Sequence, residues 1–421
     1  MIEKIRKTYH EYPHTFWMLI VAVFIDHVGG ALIYPFLSLY ITHKFGVGMT
    51  QVGQIFAIFA IFGVFGNIIG GAMTDKFGRK TMLIFGLVVS ALTALMMGFI
   101  NDFSIFYIIT AIVGLFSNAG GPAQQAMVAD LLPEKQHAEG FGVMRVVANL
   151  AVVIGPAIGG LLASRSYLSL FILDAIISTV TALFVVVVLP ETKPQISEEH
   201  EKETFAKTLS GYGTVLKDGV FMVYILISML LTIAYMQMNS TLPVFLRDVH
   251  QVPPQGYGYL LSLNAAMVVV LQFWITRRLR KYPPMVMMAL GTLLVGVGLT
   301  IFGFTSLYAI FVVAMIILTI GEMVWAPVGQ ALVARFAPAD MRGRYMALFG
   351  FAWIIPSAIG PLAAGIIMDR YNPNWVWYAC GIISAVAALG FAAMHLRVGQ
   401  RLKEIQPAEE TSIVDIPQAL V

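Results

Sequence analysis

Two carboxylates stand alone within long apolar runs: Asp26, in Asp26-His27-Val28-Gly29-Gly30 with Pro35 beyond, and Glu322, in Gly321-Glu322-Met323-Val324-Trp325-Ala326-Pro327. A carboxyl group removed from water disfavours its charged form, so it holds a proton near neutral pH and yields it to water or to an arriving cation. One such acid in each half of a chain suits a shared central cavity. Arg145 is the basic residue left inside an apolar run, and it is a natural counter-charge for a cavity carboxylate. Ionisable groups at membrane depth are costly, which makes them functional suspects. The expectation is that Asp26, Glu322 and Arg145 handle protons and that Glu322 also meets a cationic substrate. His27, on another helix face, reads as structural, and Asp174 as too near the outer surface to take part. Tyr34, Asn118, Gln237 and Asn264 are candidate substrate contacts, although amides in apolar helices more often bridge helices. The 23 Met and 28 Phe residues are suited to an adaptable apolar pocket.

The elements that position these groups follow from composition. The 421 residues are 58% hydrophobic and 12% charged, against about 25% charged in soluble domains. A water-facing surface is therefore out of reach, and the chain reads as an all-helical membrane protein. Apolar runs of the roughly 20 residues that a membrane helix needs recur from residue 15 to residue 396, and twelve can be counted. They are long and do not alternate, which excludes barrel strands. The first is too long for a cleavable leader. Cys380 is the single cysteine, so no intramolecular disulfide forms.

Charge sets the expected topology. With the N-terminus inside, 21 of the 26 Lys and Arg residues fall in inner segments and four (Lys44, Arg165, Arg247 and Arg370) in outer loops, leaving Arg145 within a span. This positive-inside bias places both termini in the cytoplasm and the chain, multi-pass, in the plasma membrane. The polar stretch 190–218 reads as a cytoplasmic linker. It separates a six-helix bundle at 15–189 from a second at 219–396, with an N-terminal segment at 1–14 and a cytoplasmic tail at 397–421. The bundles repeat one another: Pro122–Pro133 aligns without gaps on Pro327–Pro338, and Gly155, Pro156 and Gly160 fall on Gly360, Pro361 and Gly365, all at an offset of 205.

Between the second and third runs lies Gly71-Ala-Met-Thr-Asp75-Lys-Phe-Gly78-Arg79-Lys80. With Met73 for Leu and Lys76 for Arg, it resembles the G-x-L-x-D-R-x-G-R-K loop signature of the major facilitator superfamily. That resemblance implies a major facilitator fold of two pseudo-symmetric six-helix bundles, with the substrate site between them near the midplane. It also implies a conformational latch at Gly71, Asp75, Gly78 and Arg79, with Asp75 facing a helix N-terminus and Asp130 as the carboxylate partner of Arg79. In the fifth run, Ala151-x-x-x-Gly155-Pro156-x-x-Gly159-Gly160 resembles the G-x-x-x-G-P-x-x-G-G motif of the superfamily's twelve-span drug:proton antiporters, with Ala151 for the first Gly. The Arg those antiporters carry in the fourth run is Thr110 here, and Arg145 is the candidate substitute.

The resulting expectation is a proton-coupled secondary transporter, a monomer, that exports amphipathic and cationic small molecules. The alternatives are an uptake symporter or facilitator for a sugar or other small metabolite, and a non-transporting membrane sensor. Scattered His residues and the lack of a Gly-rich phosphate loop argue against enzymatic chemistry, ATP drive, a metal or a cofactor. The small net charge of +3 gives no sign of a nucleic-acid partner.

Overall fold

The computed structural model describes residues 11–117, 120–133, 136–193, 213–279, 281–338 and 341–404, which are largely helical with no strand among them. Among the described residues, twelve helices are long and apolar enough to cross a membrane: α1 (His14–Phe45), α2 (Met49–Phe77), α3 (Arg79–Phe99), α4 (Phe103–Leu131), α5 (Glu139–Ala163), α6 (Tyr167–Val188), α7 (Gly219–Ser240), α8 (Pro254–Leu279), α9 (Pro284–Phe302), α10 (Tyr308–Phe336), α11 (Gly343–Arg370) and α12 (Asn374–Arg397). In a bilayer every backbone N–H and C=O must bond within the chain, and a continuous helix achieves this locally. Local sequence breaks the regularity. Pro35 lies in a short 3-10 turn, Tyr34–Phe36, that interrupts α1. Asp218 caps α7 by accepting the Phe221 N–H at 3.1 Å, and a short helix, Leu242–His250, extends α7 past Thr241. Most of the proposed linker, and the tail beyond Glu404, lie outside the described residues.

The same pairings recur in both halves: α1 packs on α5 as α7 packs on α11, α3 on α6 as α9 on α12, and α2 on α4 as α8 on α10. Between the halves, α2 packs on α11 and α5 on α8. These pairs are equivalent under the repeat, so the halves meet through the same helix faces used twice.

The inter-half contacts concentrate at the end of the bundle away from the chain termini. There Asp369, at the end of α11, accepts the backbone N–H groups of Met49 at 2.9 Å and Thr50 at 2.7 Å. The first turn of α2 is thus capped by a carboxylate from the other half, where the helix dipole favours an anion. Arg247 donates to the Leu39 carbonyl at 3.2 Å and to Thr42 Oγ1 at 3.0 Å. Gly258 of α8 lies where a β-carbon would sit 2.6 Å from the Pro156 carbonyl oxygen. Glycine permits that backbone approach.

Candidate functional site

Asp26 and Asp174 line one cavity of about 620 Å³, together with His27, Gly30, Tyr34, Ser90, Gln124 and Pro156, and with Asn239 from the second half. Position on the helix brings them together: Asp26 lies midway along α1, and Asp174 lies in α6, which packs on α1. Asp26 is half-buried, and its Oδ2 accepts a long 3.4 Å contact from Gln124 Nε2. Asp174 is only 6% exposed. A β-carbon added at Gly29 would strike its Oδ1, which leaves no room for a side chain there. The expectation that Asp174 lies too near the surface is therefore corrected. It faces the same space as Asp26 because α6 begins beyond the far end and runs inward. His27 is tied to its own helix, with Nδ1 2.8 Å from the Val23 carbonyl. A smaller, mostly apolar cavity of about 190 Å³ adjoins, sharing Gly30, Tyr34, Phe59, Ser90 and Asp174 with the first.

Glu322 sits in α10 under different conditions. Asn264 of α8 donates to its Oε2 at 2.8 Å and to Thr319 Oγ1 at 3.0 Å, and Tyr235 of α7 lies nearby. Tyr235, Trp325 and Trp353 form an aromatic cluster beside it, with ring centroids 5.8 Å apart for Tyr235–Trp325 and Trp325–Trp353 and 6.2 Å for Tyr235–Trp353. Trp325 Nε1 is buried without a hydrogen-bond partner among the described residues. A carboxylate beside aromatic faces is the environment an organic cation prefers. The sequence places Trp325 in the run that carries Glu322 but does not show its contact with Trp353, which lies on a different span and meets it only through helix packing.

The remaining candidates divide. Tyr34 is part exposed and lines the Asp26 cavity. Gln237 is buried and turned back on its own helix, donating to the Ile233 carbonyl at 2.8 Å and accepting from Thr241 at 2.6 Å. A substrate-contacting role for it is therefore withdrawn, because its hydrogen bonds are already made. Asn264 serves Glu322 as a positioning partner. Asn118 lies outside the described residues. Arg145 reaches neither cavity carboxylate; its Nη1 donates to Gln330 of α10 at 2.5 Å. Its expected role as counter-charge to a cavity carboxylate is corrected, since it lies about two helical turns from Val152, the nearest α5 residue lining the Asp26 cavity.

At the termini end, Arg79 Nε lies 2.9 Å from Asp130 Oδ2, while Asp75, 80% exposed, is 3.7 Å from Arg79 and faces solvent rather than a helix N-terminus. The group held at a helix N-terminus here is Glu191, just after α6. Its carboxylate accepts the N–H of Arg79 at 2.8 Å and of Lys80 at 3.2 Å, and those of Thr192 and Lys193 at 3.0 Å each. Burial pushes the Glu191 carboxyl upward, but these backbone donors outweigh it and hold its pKa below the ordinary value. Gly78 has φ +100°, a conformation suited to glycine, and a β-carbon there would strike the Glu191 carboxylate. Thr192 Oγ1 donates to Asp130 at 3.1 Å and Lys193 Nζ to the Lys76 carbonyl at 2.9 Å. Gly71 has open space beside it. Glu191-Thr192-Lys193 falls within the stretch that polarity assigns to the linker, although its place at a span end beside the basic loop is a usable signal.

In α5, Gly155 packs on Ala31 and Gly159 on Leu32 and Phe36, all in α1, while Gly160 faces Gly258 of α8. Their repeat-mates behave alike: Gly360 packs on α7 and Gly365 on Met49 of α2. The antiporter-like motif thus sits where three helices from both halves converge.

The profile of the Major Facilitator Superfamily matches residues 19–353 and 256–420. Among curated relatives, a Na(+), Li(+), K(+)/H(+) antiporter of Planococcus maritimus is 29% identical, over 86% of this chain and 89% of its own length. Multidrug resistance protein MdtH of Shigella flexneri is 23% identical, over 92% of this chain and 96% of its own. Among solved structures, a point mutant of the nucleoside transporter NupG superposes with TM-score 0.78 at 15% identity, covering 90% of this chain and 100% of that one. At that identity the likeness concerns the fold.

Proposed function

The chain belongs to the Major Facilitator Superfamily, and from that premise we propose that it is a proton-coupled antiporter that exports cations, amphipathic organic cations among them, by alternating access. The observation that carries the reading is one carboxylate set midway along a helix in each half: Asp26 facing a cavity, and Glu322 held by Asn264 beside Tyr235, Trp325 and Trp353. Asp26 exchanges protons. Glu322 attracts the cationic group while the aromatic rings take up its apolar part. A cation and a proton that compete for the same acids cannot both be bound, and this competition couples the two fluxes. Two relatives support the class, one named as a cation/proton antiporter and one as a multidrug resistance protein.

With both termini in the cytoplasm, as the charge bias favours, the end closed by Asp369 and Arg247 is the outer one, and the conformation is cytoplasm-facing. The exposed Asp75 fits that state, in which its carboxylate faces solvent. We take the protein to act as a monomer in the plasma membrane.

The test is purified protein in liposomes carrying a pH gradient, acidic on the side of the outer end, with uptake of tetraphenylphosphonium compared with a neutral analogue. Proton-driven movement of the cation, lost on collapsing the gradient, is expected. Movement indifferent to the gradient overturns the antiport reading, and proton-coupled symport with a sugar in its place favours uptake.

A further inference from the structure

We propose that Asp26 and Asp174 together form a second cation site, for a small alkali cation such as Na⁺, distinct from the aromatic site at Glu322. The inference rests on the exchange reading above and adds a site and a substrate class to it. Its basis is the wall of the 620 Å³ cavity. Two carboxylates, the Ser90 hydroxyl and the Gln124 side-chain amide face one space, and no Lys or Arg among the described residues lines it. The titratable groups facing it are Asp26, His27 and Tyr34 from α1 and Asp174 from α6; the described residues of α2, α3, α4, α5 and α7 contribute none.

The second observation is the state of Asp174. It is only 6% exposed, lines both adjoining cavities, and has no hydrogen-bond or ion-pair partner among the described residues. Asp26 is scarcely better served, with the one 3.4 Å contact from Gln124. Buried carboxylates are normally paired or bound to a cation. Here a buried and a half-buried carboxylate share a cavity that no Lys or Arg among the described residues lines, and His27, which does line it, is held through Nδ1 by the Val23 carbonyl of its own helix. Either protons occupy them, or a cation does.

The side-chain oxygens of Asp26, Asp174, Ser90 and Gln124 are donors suited to a hard cation. Divalent Ca²⁺ takes six to eight oxygens, and Mg²⁺ gives up its waters reluctantly. No three His, Cys, Asp or Glu side chains converge among the described residues. A singly charged ion that keeps part of its water fits the few protein oxygens and the cavity volume. Na⁺ arriving between the two carboxylates displaces up to two protons, each leaving to the water of the cavity. The fully protonated pair is neutral; with Na⁺ bound it stays neutral when one proton leaves and carries one net negative charge when both leave. Sodium and protons therefore exclude one another, and lower pH weakens Na⁺ binding.

The experiment uses purified full-length protein in detergent, in weak buffer with a pH dye, titrated separately with NaCl and with tetraphenylphosphonium chloride. Choline chloride serves as the salt control and CaCl₂ as the divalent arm. Binding of ²²Na⁺ is measured in parallel. We expect Na⁺ to evoke proton release and to bind more tightly as pH rises. Asp174→Asn should weaken Na⁺ binding about tenfold or more, since a full ligand charge is removed in low-dielectric surroundings. The same variant should still bind tetraphenylphosphonium, which shows that it is folded, and Asp174→Glu should partly restore Na⁺. Glu322→Gln should give the reverse pattern. Unaltered ²²Na⁺ binding in Asp174→Asn, no Na⁺ response in the wild-type protein, or a response to Ca²⁺ alone overturns the proposal. Proton release by tetraphenylphosphonium reports separately on the exchange reading.

Discussion

At the scale of residues, the two mid-span acids differ in what surrounds them, and that difference predicts different phenotypes. Glu322 is held by Asn264 among aromatic rings. Glu322→Gln keeps the hydrogen-bonding shape but removes the charge. It should weaken cationic substrates about tenfold or more relative to neutral ones of similar size, since cation–aromatic contacts alone contribute only about 0.5–2 kcal/mol; competitive binding against a neutral analogue measures this. Asp26→Asn should abolish gradient-driven export in vesicles while leaving substrate exchange without a gradient. Export in that variant with wild-type pH dependence removes Asp26 from the coupling path. Both acids were legible in the sequence because a charge in an apolar run is rare. Asp174 was equally visible but misjudged. Its depth depends on how α6 lies against α1, and sequence spacing does not carry that information.

At the scale of elements, α2 and α11 each carry an aspartate near their C-terminal end that is suited to the partner's N-terminus. Asp369 caps α2 at the far end, whereas Asp75 is free of α11. On the proposed alternating-access reading, a contact of Asp75 with the α11 N-terminus would belong to the opposite state, so removing the two carboxylates should act with opposite sign. Asp369→Asn should shift the population away from the present conformation, and Asp75→Asn should shift it toward the present one. Each contact contributes roughly 0.3–1 kcal/mol at an exposed site, which moves a near-balanced equilibrium up to a few-fold. Spin-label distances across each end of the bundle, in a Cys380→Ser background, check both signs. Glu191 adds a pH dependence. Its folded-state pKa is depressed, so its contribution is present above the ordinary carboxylate pKa and is lost as pH falls through the depressed folded value. Wild-type protein should therefore lose thermal stability on acidification more steeply than Glu191→Gln; parallel melting curves from neutral to acid pH decide.

At the scale of the whole molecule, the repeat is a functional symmetry. Gly160 meets α8 as Gly365 meets α2, so both inter-half seams at the closed end rely on missing side chains. Overfilling one seam should reopen that end. Gly258→Leu places carbon against the Pro156 carbonyl, and overpacking costs about 1–3 kcal/mol. The variant should gain accessibility to impermeant thiol reagents at cysteines introduced in the cavity from the far side and lose net transport, while remaining inserted and folded. Unchanged accessibility shows that the seam tolerates the bulk and does not govern closure.

Much of this architecture is written locally. The twelve helices follow from apolar runs that leave a chain in lipid no other way to satisfy its backbone, and the two-bundle plan follows from a 205-residue offset in Pro and Gly positions. The contact between Arg79 and Asp130 was legible for the same reason: both residues flank span ends on one side of the bundle. Tertiary structure decided what depends on helix rotation and on contacts across distant spans. It turned Arg145 toward Gln330, closed Gln237 on its own helix, set Asp174 beside the cavity of Asp26, gathered Tyr235, Trp325 and Trp353, and placed Glu191 on the start of α3. The physical reason is that hydropathy specifies that a helix is buried in lipid, but not the angle at which each of its faces meets its neighbours.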